Sequence, residues 1–393
     1  MNILQRLLDI LRIWEMETRL IFKDQGVLLF IVFVPLLYPV LYTLCYNKEV
    51  LHDVPITVVD QDHTALSREY TRRLDATPDV QVISLSADIP DALQSIREQR
   101  SYGYIVIPND FSQNIHQGRQ ATVSAYCDMS GMLYYKAILS ANTNLMLDYS
   151  ERIRVSRAGN ATARQDELTN RPIDYEEVYL YNPTAGMASF LIPAILILVI
   201  QQTLLLGISM AAGTAYETQS FSRLVFTRRK RHTLHIIMGI ALSYFLIEVV
   251  NAAYLTLFIP YCFNLTQIAR PLTIMAFMLP YLLACIFFSM TMSALIRNRE
   301  ITMIVFVFTS VPLLFMSGIS WPWSAMPAFW KGFAHLFPST FGINGFVRIN
   351  TEGATLHDVR HEYLMLWIQT AFYFITTYLV SRHILKITLR KRQ

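Results

Sequence analysis

The sequence predicts a polytopic α-helical membrane protein of six transmembrane helices with an α/β domain inserted after the first. Three observations predict it. Of 393 residues, 53% are hydrophobic and only 16% are charged, a balance outside the usual range of soluble domains. One long uncharged apolar run, Val27 to Tyr46, lies near the N-terminus, and five more apolar runs crowd the second half. Residues 47–180, between the first run and the rest, are polar and alternate short strand-like and helix-like patterns.

Residues 1–26 precede the first run. Leu4, Leu7, Leu8, Leu11 and Trp14 recur there at helical spacing, with Arg6, Asp9, Arg12 and Glu15 on the other face. An amphipathic helix lying along the cytoplasmic surface is expected. Residues 27–46 have the length that crosses a ~30 Å hydrocarbon core, and no small-residue cleavage site follows, so a retained anchor is expected rather than a signal peptide. The remaining spans are placed at 188–210, 236–258, 272–296, 301–319 and 364–381. Pro35, Pro39, Pro193, Pro280 and Pro312 fall inside spans, where neighbouring helices can satisfy the carbonyls they free.

Basic clusters set the orientation. Arg6, Arg12, Arg19 and Lys23 precede the first span, and Arg223, Arg228, Arg229, Lys230 and Arg231 follow the second. Arg297 and Arg299 separate the fourth and fifth, and Lys386, Arg390, Lys391 and Arg392 end the chain. Counting six spans puts all four clusters on one side, and five or seven breaks that agreement. Short Lys/Arg-rich loops stay in the cytoplasm. Both termini, the loop 211–235 and the tail 382–393 are therefore expected in the cytoplasm, with the chain in the cell inner membrane.

The segment 47–180 is then extracytoplasmic. It reads as a strand at Pro55 to Val59, a helix at Thr64 to Leu74, a strand at Val80 to Leu85, a helix at Ile89 to Gln99 and a strand at Tyr104 to Pro108. A longer helical stretch from Met132 to about Arg157 and a polar connection to Arg171 complete it. Alternating strands and helices favour a small layered domain.

Several chemistries are not indicated. The net charge of +4 is small and its basic residues sit beside spans, so the expected partner is the lipid bilayer and not nucleic acid. Cys45, Cys127, Cys262 and Cys285 show no CxxC spacing, and His52, His63, His116, His232 and His235 no ligand spacing, so neither metal nor catalytic residues are expected. The phosphate-cradling pattern G-x-x-x-x-G-K-[ST] does not occur, and any ATP hydrolysis is expected in another polypeptide.

Two regions carry polar or helix-breaking residues where a plain anchor needs none. Glu248 lies about 12 residues into the third span, roughly 18 Å deep at 1.5 Å per residue. A carboxylate there is costly unless protonated, paired or facing water. Asn251 shares its face, and Gln201 and Gln202 place amides near the middle of the second span. Two roles stay open for these four: a translocation pathway, or interhelical ties. After the fifth span, residues 320–350 hold Trp321, Trp323 and Trp330, while Gly318, Pro322 and Pro327 break the helix. A re-entrant or interfacial hairpin closing the outer end is expected, with an ordinary aromatic-rich loop as the alternative.

Three stretches carry a resemblance. They are Ser317-Gly318 with Pro322 and Met326-Pro327; Val54-Pro-Ile-Thr-Val-Val-Asp-Gln-Asp-His-Thr-Ala-Leu-Ser-Arg68; and Tyr102-Gly-Tyr-Ile-Val-Ile-Pro-Asn-Asp-Phe111. With these, the chain resembles over essentially its whole length the permease subunits of type-2 ABC exporters that carry a large extracytoplasmic domain. The resemblance implies export from the cytoplasm, with no cofactor in this chain and with ATP and Mg held by a separate ABC ATPase subunit. It implies ATPase-coupling roles for Gly213, Thr214, Glu217 and Arg223, and an outer gate at Gly318, Pro322 and Pro327. Ala211 and Ala212 stand where the family commonly has acidic residues, and Arg228 where it commonly has proline. A second permease subunit, identical or related, completes a two-fold pathway. A periplasmic adaptor protein and an outer-membrane channel are further partners that such exporters use. The competing class is a non-transporting receptor or anchor whose extracytoplasmic domain binds a ligand or partner.

Overall fold

A computed structural model describes residues 3–46, 50–158, 180–182, 186–217, 233–296 and 298–390. Six helices among them are long and apolar enough to cross a bilayer: Gln25–Tyr46, Met187–Glu217, Thr233–Cys262, Pro271–Leu295, Arg299–Met316 and Arg360–Ile384, here TM1 to TM6. The end of the bundle at Gln25 is called basal and the opposite end distal. Residues 50–178 form a separate α/β unit, and the rest of the chain forms the helical unit.

TM2 is the central post. Its side chains from Ile192 to Leu205 are buried almost without interruption, against Phe277, Tyr281 and Ile286 of TM4 and Phe346 of the helix Pro338–Glu352. TM1 approaches it closely because Gly207 has no side chain, and a methyl group there would overlap Ile31. TM5 is the opposite case, with Ile304, Phe308, Val311 and Phe315 all exposed. Apolar side chains left open on a span face lipid or another subunit.

Prolines dictate where the helices join one another. A proline has no N–H for the carbonyl four residues back, and hydrocarbon supplies no water to replace it. Pro35 thereby deprives Ile31, and the Asn251 amide of TM3 donates to the Ile31 carbonyl at 2.8 Å. Pro260 deprives Thr256, and the Gln267 amide donates to that carbonyl at 2.7 Å. Just before each proline the helix widens into a π turn, at Leu29–Phe33 and Tyr254–Phe258. Local π turns are one way a membrane helix absorbs a missing bond.

The N-terminal helix Ile3–Lys23 runs beside TM3. Gly239 admits Ile13 and the Ile10 backbone, and the Ser243 hydroxyl donates to the Trp14 carbonyl at 3.1 Å. Buried Glu17 accepts from the Tyr244 hydroxyl at 3.4 Å. Leu4, Leu7, Leu8 and Leu11 remain uncovered, which suits the interfacial placement their spacing predicts. The helix ends at Lys23, and Asp24 caps TM1.

Between TM5 and TM6 the chain forms a 3-10 turn, Trp323–Ala325, and two helices, Ala328–Ala334 and Pro338–Glu352. The second is buried along most of its length, against TM2 and TM4, and ends at Gly353 in the left-handed region. The hairpin expected at 320–350 is thus a helical pair whose second member belongs to the bundle core.

The α/β unit is a four-stranded sheet in the order β2-β1-β3-β4, formed by Val80–Ser86, Val54–Asp60, Gly103–Ile107 and Ser124–Cys127. β1 pairs parallel with β2 and β3, and β4 joins antiparallel at the edge. Helices Ala65–Asp75, Phe111–His116 and Met132–Ala158 cover one face through Tyr70, Leu74, Phe111, Ile138 and Tyr149. Helix Ile89–Arg97 covers the other through Ala92 and Ile96. The segment Val54 to Arg68 is locked at its turn. Asp60 accepts from the amides of Asp62 and His63 and from the Ser67 hydroxyl, and Asp62 accepts from the hydroxyls of Thr64 and Ser112.

One double-mutant cycle checks the proline account. Asn251→Leu leaves the Ile31 carbonyl short of a donor and is expected to cost about 1–3 kcal/mol in detergent unfolding. Pro35→Ala returns a backbone N–H, so the same change in that background is expected to cost at least ~1 kcal/mol less.

Candidate functional site

Three polar assemblies lie along the bundle, at its basal end, its middle and its distal end. Basally, one carboxylate joins three spans. Asp24 is the N-cap of TM1, its Oδ1 accepting from the amides of Gly26 at 3.0 Å and Val27 at 3.3 Å. The Thr214 hydroxyl, in the last turn of TM2, donates to its Oδ2 at 2.9 Å. Arg299, the first residue of TM5, reaches Oδ1 at 3.2 Å and the Thr214 oxygen at 3.1 Å. Two glycines make room, since a methyl on Gly26 would overlap the guanidinium and one on Gly213 would crowd the Arg299 backbone at 3.1 Å.

The charge of this assembly is secure at neutral pH. Burial pushes the Asp24 carboxyl up, but the Thr214 hydroxyl, the Val27 amide, the Arg299 guanidinium and the Gly26 amide outweigh it and hold it below its ordinary 3.8. A depressed carboxylate contributes stability above 3.8 that is lost only as pH falls below that value. The side chains are 31% and 18% exposed, so the ion pair itself is worth about 0.2–1 kcal/mol. The cap adds about 1 kcal/mol.

Beside it lies a cleft of about 480 Å³ between the N-terminal helix and the start of TM3. Asp9, Arg12, Glu15, Arg19, Lys23 and His235 line it, with Ile13, Met16, Leu20 and Ile236 as apolar walls. Its charged lining is the polar face of the amphipathic helix, and the uncovered leucines lie on a different face.

In the middle, Glu248 is wholly buried. Its Oε1 accepts from Asn251 at 3.2 Å, the same amide that serves the Ile31 carbonyl, and its Oε2 has no partner among the described residues. Tyr281 and Cys285 of TM4 lie within electrostatic range of it. The Tyr281 hydroxyl donates to the Ile197 carbonyl of TM2 at 2.6 Å. Gln201 accepts from the Ser339 amide at 2.6 Å, so its carbonyl caps the helix Pro338–Glu352, while its Nε2 and both polar atoms of Gln202 are unpartnered. A buried polar group left without a partner costs about 1–3 kcal/mol, so this row is held at an energetic cost.

Distally, TM5 ends just before Gly318, whose φ of +92° favours glycine and whose α-carbon lies under the Trp323 indole. The Ser317 carbonyl accepts from Trp323 Nε1 at 3.1 Å and from Asn344 at 2.8 Å. Trp323 stacks on His335, and His335 on Phe341. Pro322 and Pro327 each open a short helix by fixing the residue before its first turn. Burial and the neighbouring His361 hold His335 below its ordinary 6.5.

Sequence reasoning places Gly213, Thr214 and Glu217 in a loop, and the structure places them on the last turns of TM2. Ala211, Ala212 and Ala215 are strong helix formers that carry the helix past the apolar run. Gly213 and Thr214 join the basal assembly, and Glu217 is exposed at its edge. Arg223 lies outside the described residues. Asp24 and Arg299 escape a sequence reading, although an aspartate immediately before an apolar run is an N-cap signal. Arg299 looks like any other positive-inside charge.

Six apolar spans with buried polar residues inside them and a separate α/β unit define a class, a multi-pass membrane protein. The family model for the ABC-2 family transporter protein matches residues 26–379, and the chain belongs to that family. It is similar to the linearmycin resistance permease protein LnrN of Bacillus subtilis (strain 168), with 23% identity over 383 residues that cover 89% of this chain and 93% of that protein.

The distal stack makes a prediction whose sign follows from its histidine. A histidine held below 6.5 favours the neutral ring in the folded state, so its contribution is full above 6.5 and is lost as pH falls through the lowered value. The fluorescence difference between the protein and Trp323→Phe is expected to titrate with a midpoint below 6.5. In His335→Phe, which keeps the stack, that titration is expected to vanish.

Proposed function

We propose that the chain is the transmembrane subunit of an ATP-driven exporter, working as a pair of permease chains powered by a separate ABC ATPase that binds ATP and Mg. The family match over residues 26–379 carries this reading. The basic clusters support an inner-membrane placement with the basal end and both termini in the cytoplasm. The α/β unit is then outside, where an adaptor protein and outer-membrane channel would receive cargo. The resistance function in the relative's name supports efflux of a toxic compound.

The ATPase is proposed to dock on the basal face. The cleft offers Arg12, Arg19, Lys23 and His235 against Asp9 and Glu15, with apolar walls to bury a partner's side chains. It lies against the start of TM3, at His235 and Ile236. Exposed TM1 and TM5 faces, with Leu37, Leu41, Ile304 and Phe308 uncovered, supply the apolar surface that a second permease subunit would cover.

For Asn251 and Gln201 the burial and bonding favour the interhelical role over the pathway; Glu248 joins that tie only through Asn251 of its own helix, and Gln202 is buried with no partner among the described residues. Asn251 replaces the donor that Pro35 lacks, Glu248 accepts from that same amide, and Gln201 caps the helix Pro338–Glu352. All four lie inside one subunit.

Two measurements check these assignments. Arg12→Glu with Arg19→Glu is expected to lower co-purification of the ATPase subunit by about tenfold, the scale of losing ~1.4 kcal/mol of docking energy. Glu248→Gln keeps the acceptor for Asn251 and is expected to leave both thermal stability and compound-stimulated ATP hydrolysis within about twofold of the parent. A loss of stimulation at unchanged stability would return Glu248 to the pathway.

A further inference from the structure

We propose that Asp24, Thr214 and Arg299 form a clasp that transmits displacement of the basal end of TM2 to TM1 and TM5, which makes Asp24 and Arg299 positioning residues of the transport cycle. The proposal rests on the reading that an ATPase docks on the basal face, where TM2 ends.

The geometry supplies four reasons. Residues remote in sequence meet at one carboxylate that serves all three spans: the TM1 amides on Oδ1, Thr214 on Oδ2, and the Arg299 guanidinium on both, at 3.2 and 3.5 Å. Arg299 bonds Thr214 and Asp24 together, so TM2 cannot shift at this level without pulling on TM5. Glycine occupies both positions where a side chain would push the guanidinium away, Gly26 and Gly213. TM5 exposes Ile304, Phe308, Val311 and Phe315 along one face, so that face does not hold it to its own subunit and the polar attachment at its first residue gains weight.

TM5 is also the one span that runs directly into the Gly318 turn, where the Ser317 carbonyl holds Trp323 and Asn344. A lever pinned basally at Arg299 and attached distally at Ser317 moves the Trp323–His335 stack when its basal end is moved. A partly exposed ion pair adds little to stability, so the placement of these residues calls for a role beyond holding the fold. Asparagine at position 24 caps a helix as well as aspartate does, and Asp24→Asn therefore removes the charge while keeping the cap.

The test uses the permease co-purified with its ATPase in proteoliposomes. Trp321, exposed beside the Gly318 turn, is replaced by cysteine as a reporter, with exposed Cys45 and Cys262 changed to serine. The rate of labelling by a membrane-impermeant maleimide is compared without nucleotide and after trapping with ATP and vanadate. In the parent a change of about threefold or more is expected, as for a shift between two populated states. In Asp24→Asn, Arg299→Gln and Thr214→Val the change is expected to fall below about 1.5-fold while more than about half of basal ATP hydrolysis remains, and Arg299→Lys is expected to restore part of it.

Full reporter changes in the three variants would overturn the clasp. So would hydrolysis and labelling falling together in proportion, the mark of a merely structural role, or a hydrolysing parent whose reporter does not respond. A parent that retains no ATPase subunit would instead defeat the docking reading on which the clasp rests.

Discussion

Hydrocarbon offers a backbone carbonyl no hydrogen-bond donor, and the arrangement of the helical unit follows from how this chain copes with that. Pro35 and Pro260 each delete an N–H inside a span. The carbonyls left behind, on Ile31 and Thr256, are reached by side-chain amides from Asn251 and Gln267. The first bond sets the register of TM1 against TM3 and brings Glu248 alongside. The second draws the TM3–TM4 connection inward, where Gln267 also bonds Asn350 at 3.0 Å and so fixes the end of the helix Pro338–Glu352. Two of the polar residues that look scattered in sequence, Asn251 and Gln267, are the repair of missing backbone bonds.

Small residues do the complementary work. Gly207 lets TM1 lie on TM2, Gly239 admits the N-terminal helix to TM3, and Gly26 with Gly213 opens the space for Arg299. Close approach without a side chain is how membrane helices gain packing where the hydrophobic effect gives them none. It also explains why the basal assembly joins three spans at one point. Distally, Gly318 plays the same part for Trp323. TM5 thus has polar attachments at both ends, and its exposed face from Ile304 to Phe315 is left for lipid or a partner.

In the α/β unit the acidic turn after β1 is structural. Asp60 and Asp62 spend their oxygens on the amides of their own turn and on the hydroxyls of Thr64, Ser67 and Ser112, which tie the end of β1 to the helices Ala65–Asp75 and Phe111–His116. The residues most useful for recognising the family here are therefore those that build its fold. The same holds for Ser317-Gly318, where one residue supplies a carbonyl and the next a left-handed turn.

The class of the fold was legible in the sequence because span length, charge placement and strand–helix alternation are local properties. Val27 to Tyr46 is apolar whatever surrounds it, and Pro55 to Val59 reads as a strand from its own residues. Gly213, Thr214 and Gly318 were also visible, as motif positions. Their contacts were not. Asp24, Thr214 and Arg299 are separated by 85 to 275 residues, and nothing in a linear pattern says that one carboxylate will receive the other two. Whether Glu248 faces a pathway or a neighbouring helix likewise depends on which helix packs beside it. Hydropathy and propensity are summed along the chain, and so the sequence by itself determined the spans and the layered unit. Hydrogen bonding between distant segments depends on their relative placement, and only the tertiary structure decided that Asn251 meets the Ile31 carbonyl and that Asp24 receives Thr214 and Arg299.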